Sequence, residues 1–142
     1  MSKIESGPVH INKLVESRDL DGCLGYLSLV NGINGAVLYN REGLVMGCGE
    51  NSQESLLIEA PYFQAGFLDS LDRCRMLGLG PVDHTVTFTE TRFHLVINVE
   101  LSNLFFLMVS GTRGSYELFK FRIERGAQAV ARLLHARGYL RG

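Results

Sequence analysis

The chain has 142 residues, 46 % of them hydrophobic, and its fourteen basic residues almost balance fifteen acidic ones, for a formal net charge of −1. That size and apolar content suit one domain with one packed core, and the near-neutral total argues against binding nucleic acid by bulk charge. Cys23, Cys48 and Cys74 are odd in number and widely spaced without a C-x-x-C pair, which speaks against a disulfide framework or a zinc site and fits a reducing, cytoplasmic setting.

Residues 1–10, broken at Gly7-Pro8, read as a flexible N-terminus ahead of a single domain over residues 11–142. Ile11, Leu14 and Val15, then Leu20, Cys23, Leu24 and Leu27, recur at steps of three and four. That spacing predicts a short leading helix followed by a first main helix that stops at Asn31-Gly32. Gly35-Ala36-Val37-Leu38-Tyr39 and Leu44-Val45-Met46-Gly47-Cys48 flank the polar loop Asn40-Arg41-Glu42-Gly43, the pattern of a β-hairpin. Asn51, with Glu54 three residues on, reads as a capping box that opens a second helix from about Gln53 to Leu77.

At 100° per residue, Leu56, Ala60, Phe63, Phe67, Leu71 and Cys74 of the second helix share one stripe, an ordinary core face. Beside it Leu57, Pro61 and Leu68 form another, and Ile58, Tyr62, Ala65 and Met76 a third. A helix this apolar all round needs cover from elsewhere in the chain or from a second molecule. Pro61 either kinks it or marks its true first turn.

After Gly78-Leu79-Gly80-Pro81 comes a strand-rich half. Thr85-Val86-Thr87-Phe88-Thr89 alternates, so one of its faces is wet, and a tight turn near Thr91-Arg92 leads to Phe93-His94-Leu95-Val96-Ile97-Asn98-Val99. The run Leu104-Phe105-Phe106-Leu107-Met108-Val109 does not alternate. A strand without alternation is covered on both faces, which places this one centrally, beside the first strand. Ser115 reads as the cap of a last helix, Tyr116 to about Arg137, whose buried stripe is Phe119, Ile123, Ala127, Val130 and Leu134. Residues 116–142 carry six basic residues against two acidic ones, read as a solvated helix face. The order helix, two strands, helix, three strands, helix fits an α+β fold with a five-stranded antiparallel sheet and helices on both faces.

Two stretches carry a family resemblance. Gly32-Ile33-Asn34-Gly35-Ala36-Val37-Leu38-Tyr39-Asn40-Arg41-Glu42-Gly43-Leu44-Val45 is similar to the hairpin of the roadblock/dynein light chain family. The apolar strand from Leu104 to Ser110, followed by Thr112-Arg113-Gly114-Ser115-Tyr116-Glu117-Leu118-Phe119-Lys120-Phe121-Arg122-Ile123, is similar to that family's last strand and helix start. Within the family the chain looks like the bacterial MglB-type regulators of Ras-like small GTPases, with a profilin/longin-like architecture. It departs from the pattern at Pro61, Gly66 and an extended N-terminus.

The resemblance implies a symmetric homodimer. Third strands pair edge to edge through Thr85, Val86, Thr87, Phe88 and Thr89, and second helices pack side by side through Leu57, Pro61 and Leu68. The residues themselves point the same way, since the over-apolar helix needs cover and the Thr85 strand has no lysine or proline guarding its edge. The resemblance further implies that the paired helices meet a Ras-like small GTPase, with Ile58, Tyr62, Ala65, Asp69 and Met76 as the partner-facing stripe. Regulation would be non-catalytic and cofactor-free, reshaping the GTPase without inserting Arg92 or Arg113 as a finger. A dimeric scaffold or adaptor subunit of a motor or membrane-associated complex, indifferent to nucleotide state, is the alternative.

Chemical signatures are otherwise missing from the sequence: no P-loop, no G-x-G-x-x-G, no G-x-S-x-G elbow, and His10, His84, His94 and His135 lack metal spacing. Gly111-Thr112-Arg113-Gly114-Ser115 ahead of a helix suits an anion cradle less well than a plain connection. Cys48 is the most approachable thiol. Neither a secretory leader nor an apolar run of membrane-spanning length is present, so a soluble protein is expected.

Overall fold

The computed structural model describes residues 20–29, 31–49 and 52–140. In chain order these form α1 (Leu20–Ser28), β1 (Ile33–Asn40), β2 (Val45–Cys48), α2 (Glu54–Met76), β3 (His84–Phe88), β4 (Arg92–Asn98), β5 (Phe105–Thr112) and α3 (Ser115–Ala136), with a 3-10 turn at Val99–Leu101. The first ten residues and the expected leading helix at Ile11 to Val15 lie outside the described residues.

The strands make one antiparallel sheet in the order β2-β1-β5-β4-β3. β5 is central and lies beside β1, as its unbroken apolar run requires, and every residue from Phe105 to Gly111 is buried. Its side chains leave in two directions. Phe105, Leu107 and Val109 join Leu24, Leu38, Phe93, Leu95, Ile123 and Val130 in the larger core under α1 and α3. Phe106 and Met108 join Val37, Tyr39, Leu56, Phe67 and Val96 in a smaller core under α2. Helices therefore cover both faces, two on one and one on the other.

Local chemistry fixes the turns. Gly43 sits at φ +89°, where a glycine is needed, and Asn40 closes the β1–β2 turn by accepting the Leu44 N–H on its side-chain oxygen at 3.0 Å. Gly32, at φ +94°, faces the Ser115 hydroxyl so closely that a Cβ there would overlap it. The buried Asn98 side chain braces the loop after β4, donating to Val82 O at 3.1 Å and Asn103 Oδ1 at 2.8 Å. This loop holds Glu100, Leu101 and Asn103 at positive φ, a left-handed backbone that needs such bracing.

Four expectations about the elements are corrected. The cap of α2 is Gln53, without a side-chain capping bond, and Asn51 of the expected capping box lies outside the described residues. α2 runs unbroken past Pro61, which stands about two turns in, on the exposed side where water can satisfy the Leu57 carbonyl it leaves unpaired. Ser115 is not the cap of α3. Gly114 holds that position, and the Ser115 hydroxyl is paired with Thr112 Oγ1 at 2.6 Å. β3 ends at Phe88, so Thr89 belongs to the turn, its N–H and hydroxyl both directed at Arg92 O.

Candidate interaction surface: α2 and the β3 edge

The apolar character of α2 divides as its periodicity suggests. Leu56, Ala60, Gln64, Phe67 and Leu71 are buried, while Phe63 and Cys74 of the expected core stripe are half-buried. Outward, Ile58 is 70 %, Tyr62 77 % and Met76 82 % exposed, and Leu57 39 %. Ala65 and Asp69 lie on the same outer side, with Asp69 3.9 Å from Arg73 one turn on. Pro61 is exposed, and Leu68 half-buried against the smaller core. Together with Leu77 and Leu79, also exposed, they leave apolar surface along the length of the helix.

Among the described residues β3 is an edge strand, hydrogen-bonded to β4 alone. Its register sets Thr85 opposite Val96 and Thr87 opposite His94, so both threonines stand on the side of the sheet that α2 covers. α2 packs on β1, β4 and β5. Thr87 is left exposed and Thr85 half-buried beside the helix. Val86 turns to the other side, against the larger core, and Phe88 meets Tyr116 edge-on at 5.5 Å and Arg113 at 5.1 Å. Of the five residues assigned to the edge, Val86 and Phe88 can thus offer a second strand only backbone on the α2 side.

Between the helix and the edge hairpin lies a polar cluster absent from the sequence reading. Arg92 forks onto Glu59, Nη1 donating to Oε2 at 3.2 Å and Nη2 to Oε1 at 3.0 Å, and Nη2 also donates to Ser110 Oγ at 2.9 Å. His94 Nε2 lies 3.1 Å from Glu59 Oε1, and since an ionised carboxylate only accepts, that nitrogen carries the proton. Phe63 stacks on the imidazole at 4.2 Å. Partial burial works to raise the Glu59 carboxyl, but hydrogen bonds and charge from Arg92 and His94 outweigh it and hold the group below its ordinary value. His94 is 4 % and Ser110 0 % exposed. Glu59 and Arg92 keep 28 % of their side chains exposed, and the cluster ties α2 to β4 and β5.

On the opposite flank Gln64 donates to the carbonyls of Asn40 and Arg41 at the β1–β2 turn. α2 is thus clamped by polar side chains on both sides of a narrow apolar seam. Neither clamp is read from the helix pattern, although Gln64 falls at core spacing between Ala60 and Phe67; their partners, distant in sequence, reveal them.

The remaining sequence candidates are dispersed. Two N–H groups of the Thr112-Arg113 connection are taken by backbone, Thr112 by Gly32 O at 2.7 Å and Arg113 by Thr91 O at 2.9 Å. Arg92 is committed to Glu59 and Ser110 through its two terminal nitrogens, and Arg113 donates to Thr89 O at 2.7 Å. His84 pairs with Asp83 and His135 with Glu100. Among the described residues no group of three His, Cys, Asp or Glu side chains could hold a metal ion, and no helix is long and apolar enough to cross a membrane. Cys48 is half-buried, its thiol directed at Gly49 O. An open trough of about 500 Å³ between α3 and β4, lined by Leu95, Ile97 and Tyr116 with Lys120, Glu124 and Arg132, mixes charge signs and selects no ligand class.

No family model matches the sequence, and no curated protein matches it. Solved structures do, through the backbone path. MglB of Myxococcus xanthus superposes with a TM-score of 0.71 at 11 % identity, covering 82 % of this chain and 95 % of that one. A roadblock/LC7 domain from Streptomyces avermitilis gives 0.62 at 20 % identity, covering 85 % and 97 %. The gliding protein MglB from Thermus thermophilus gives 0.64 at 16 % identity, covering 94 % and 95 %. The chain has the roadblock fold, as its hairpin and last strand suggested.

Proposed function

We propose that the chain is a non-catalytic homodimeric regulator that pairs through β3 and α2 and binds a Ras-like small GTPase across the paired helices, biasing its nucleotide cycle. The observation that carries this reading is an exposed apolar helix face, Leu57, Ile58, Tyr62 and Met76, on the same side of the sheet as Thr85 and Thr87 of an unguarded edge strand. Edge pairing supplies the cover that α2 lacks, leaving Ile58, Tyr62, Ala65, Asp69 and Met76 for a third molecule. Regulation requires that the dimer bind two states of the GTPase with unequal affinity, since equal binding shifts nothing.

The test is capture from native cell extract on immobilised protein, once with a GTP analogue and once with GDP. Enrichment of a small GTPase in one condition, lost in the Tyr62→Ala/Asp69→Lys variant while light scattering still reports a dimer, supports the reading. A monomer in dilute solution, or unchanged capture by the variant, overturns it. The scaffold reading draws on a second apolar surface, where Leu118 and Phe121 of α3 are exposed on the side of the sheet away from α2. Equal recovery of a non-GTPase assembly in both nucleotide conditions favours the scaffold.

A further inference from the structure

The Glu59 cluster ties α2 to β4, the strand on which the β3 edge is paired, and through Ser110 to β5. Arg92 is both the last residue of the β3–β4 turn and the main anchor of α2. Its backbone N–H donates to Thr89 Oγ1 at 3.1 Å and its carbonyl accepts from Thr89 N at 2.9 Å, while its guanidinium holds Glu59 and Ser110. His94 stands beside Thr87 of the edge strand in register and meets Glu59 and Phe63 of α2. Its Nδ1 and the Arg92 Nε are buried without a hydrogen-bond partner among the described residues. Glu59 is the hydrogen-bond partner of His94 Nε2, and Arg92 divides its guanidinium between Glu59 and Ser110. A forked ion pair and a buried imidazole meeting on one carboxylate specify a geometry, because any other height or rotation of α2 breaks the bonds of Glu59 to Arg92 and to His94 together.

We propose that Glu59, Arg92 and His94 are positioning residues, a latch that sets α2 over the edge hairpin so that helix and strand present one matched surface to a second copy of this chain. The inference rests on the homodimer reading above. A second copy must fit the edge of β3 and the flank of α2 at once, and a helix free to tilt would satisfy one at the expense of the other. The latch removes that freedom before the copies meet, which raises affinity by pre-organisation without any contact across the interface.

The experiment is the dimer dissociation constant of the full chain by analytical ultracentrifugation, for the wild type, Glu59→Ala, Glu59→Gln, His94→Ala and the Glu59→Ala/His94→Ala double variant. Leu107→Ala serves as the control, a cavity in the larger core that lowers stability without touching the latch. Glu59→Ala is expected to weaken the dimer about tenfold or more, and Glu59→Gln, which keeps an acceptor oxygen and the side-chain volume, by less. The double variant is expected to be no weaker than the worse single one, because both break the same unit. The control should stay within about twofold of the wild type, which a merely structural role of Glu59 would not predict. A dimeric wild type whose constant is unmoved in Glu59→Ala and Glu59→Gln, or moved equally by Leu107→Ala, overturns the latch and leaves the dimer standing. A wild type that stays monomeric at the highest concentration reached overturns the dimer, and the latch's assigned role with it.

Discussion

The two faces of the sheet are finished to different degrees. Under α1 and α3 the core is closed, with Leu24, Leu38, Phe93, Leu107, Val109, Ile123, Val130 and Leu134 all essentially inaccessible. Gly126 lets α3 approach α1 until a Cβ there would stand 2.6 Å from Leu27. Under α2 a smaller apolar seam is flanked by charged and amide side chains, and the helix leaves Ile58, Tyr62 and Met76 exposed on its outer side. Close packing without polar groups is what a face needs in order to fold. Polar clamps with bare apolar surface beside them are what a face needs in order to be held in position and then met by something else. The contrast separates residues that hold the domain together from those that prepare it for a partner.

The largest expected effect lies on the closed face. Leu107→Ala should cost about 3 kcal/mol in urea unfolding, the usual loss where a buried leucine leaves a cavity that cannot collapse. A loss below about 1 kcal/mol would mean that this core is less tightly packed than its burial suggests. Next comes the clamp on the open face. Glu59→Ala should cost about 2 kcal/mol, since it strands Arg92 and His94 together.

That second contribution carries a pH signature. The folded Glu59 carboxyl lies below its ordinary value, so the unfolded chain takes up its proton first as pH falls. The stability it contributes is complete above the ordinary carboxylate range and is lost as pH drops through the folded value. The difference between wild type and Glu59→Gln, measured by unfolding at stepped pH, should therefore be constant near neutrality and shrink at acid pH. A difference that grows on acidification would contradict the ion pairing.

Smaller effects sharpen the comparison. Tyr39 lies in the seam under α2 with its hydroxyl buried and lacking a hydrogen-bond partner among the described residues, and burial pushes that group's ionisation far upward. Tyr39→Phe should be neutral or stabilising by up to about 1 kcal/mol, and a clear loss would reveal a partner for the hydroxyl. The smallest change in stability, within about 0.5 kcal/mol, is expected for Thr85→Lys/Thr87→Lys, because lysines suit an exposed edge. Light scattering of the same variant should nonetheless report monomer, and a persistent dimer would move the interface away from β3.

Much of this fold is legible along the chain because its causes are local. The run from Phe105 to Val109 reveals a strand covered on both sides, since a half-covered strand would alternate. Asn40 and Gly43 reveal the first hairpin because the turn itself demands an amide and a positive φ. Helix starts are less legible. Asn51 and Ser115 both look like caps, yet Gln53 and Gly114 hold the cap positions and Ser115 is drawn to Thr112 beside Gly32. Capping preference is worth about 1 kcal/mol, small enough for packing to overrule.

The sequence by itself determined the order of elements, the central strand, the divided apolar surface of α2 and the unguarded edge at β3, because each follows from the residues of one short segment. Only the tertiary structure decided which polar residues of α2 face inward. Glu59 meets Arg92 and His94 across 33 and 35 positions, and Gln64 reaches the carbonyls of Asn40 and Arg41 across 24 and 23. No periodicity encodes such pairs, since a helical pattern records which side chains avoid water and is silent about polar groups that leave it for one another.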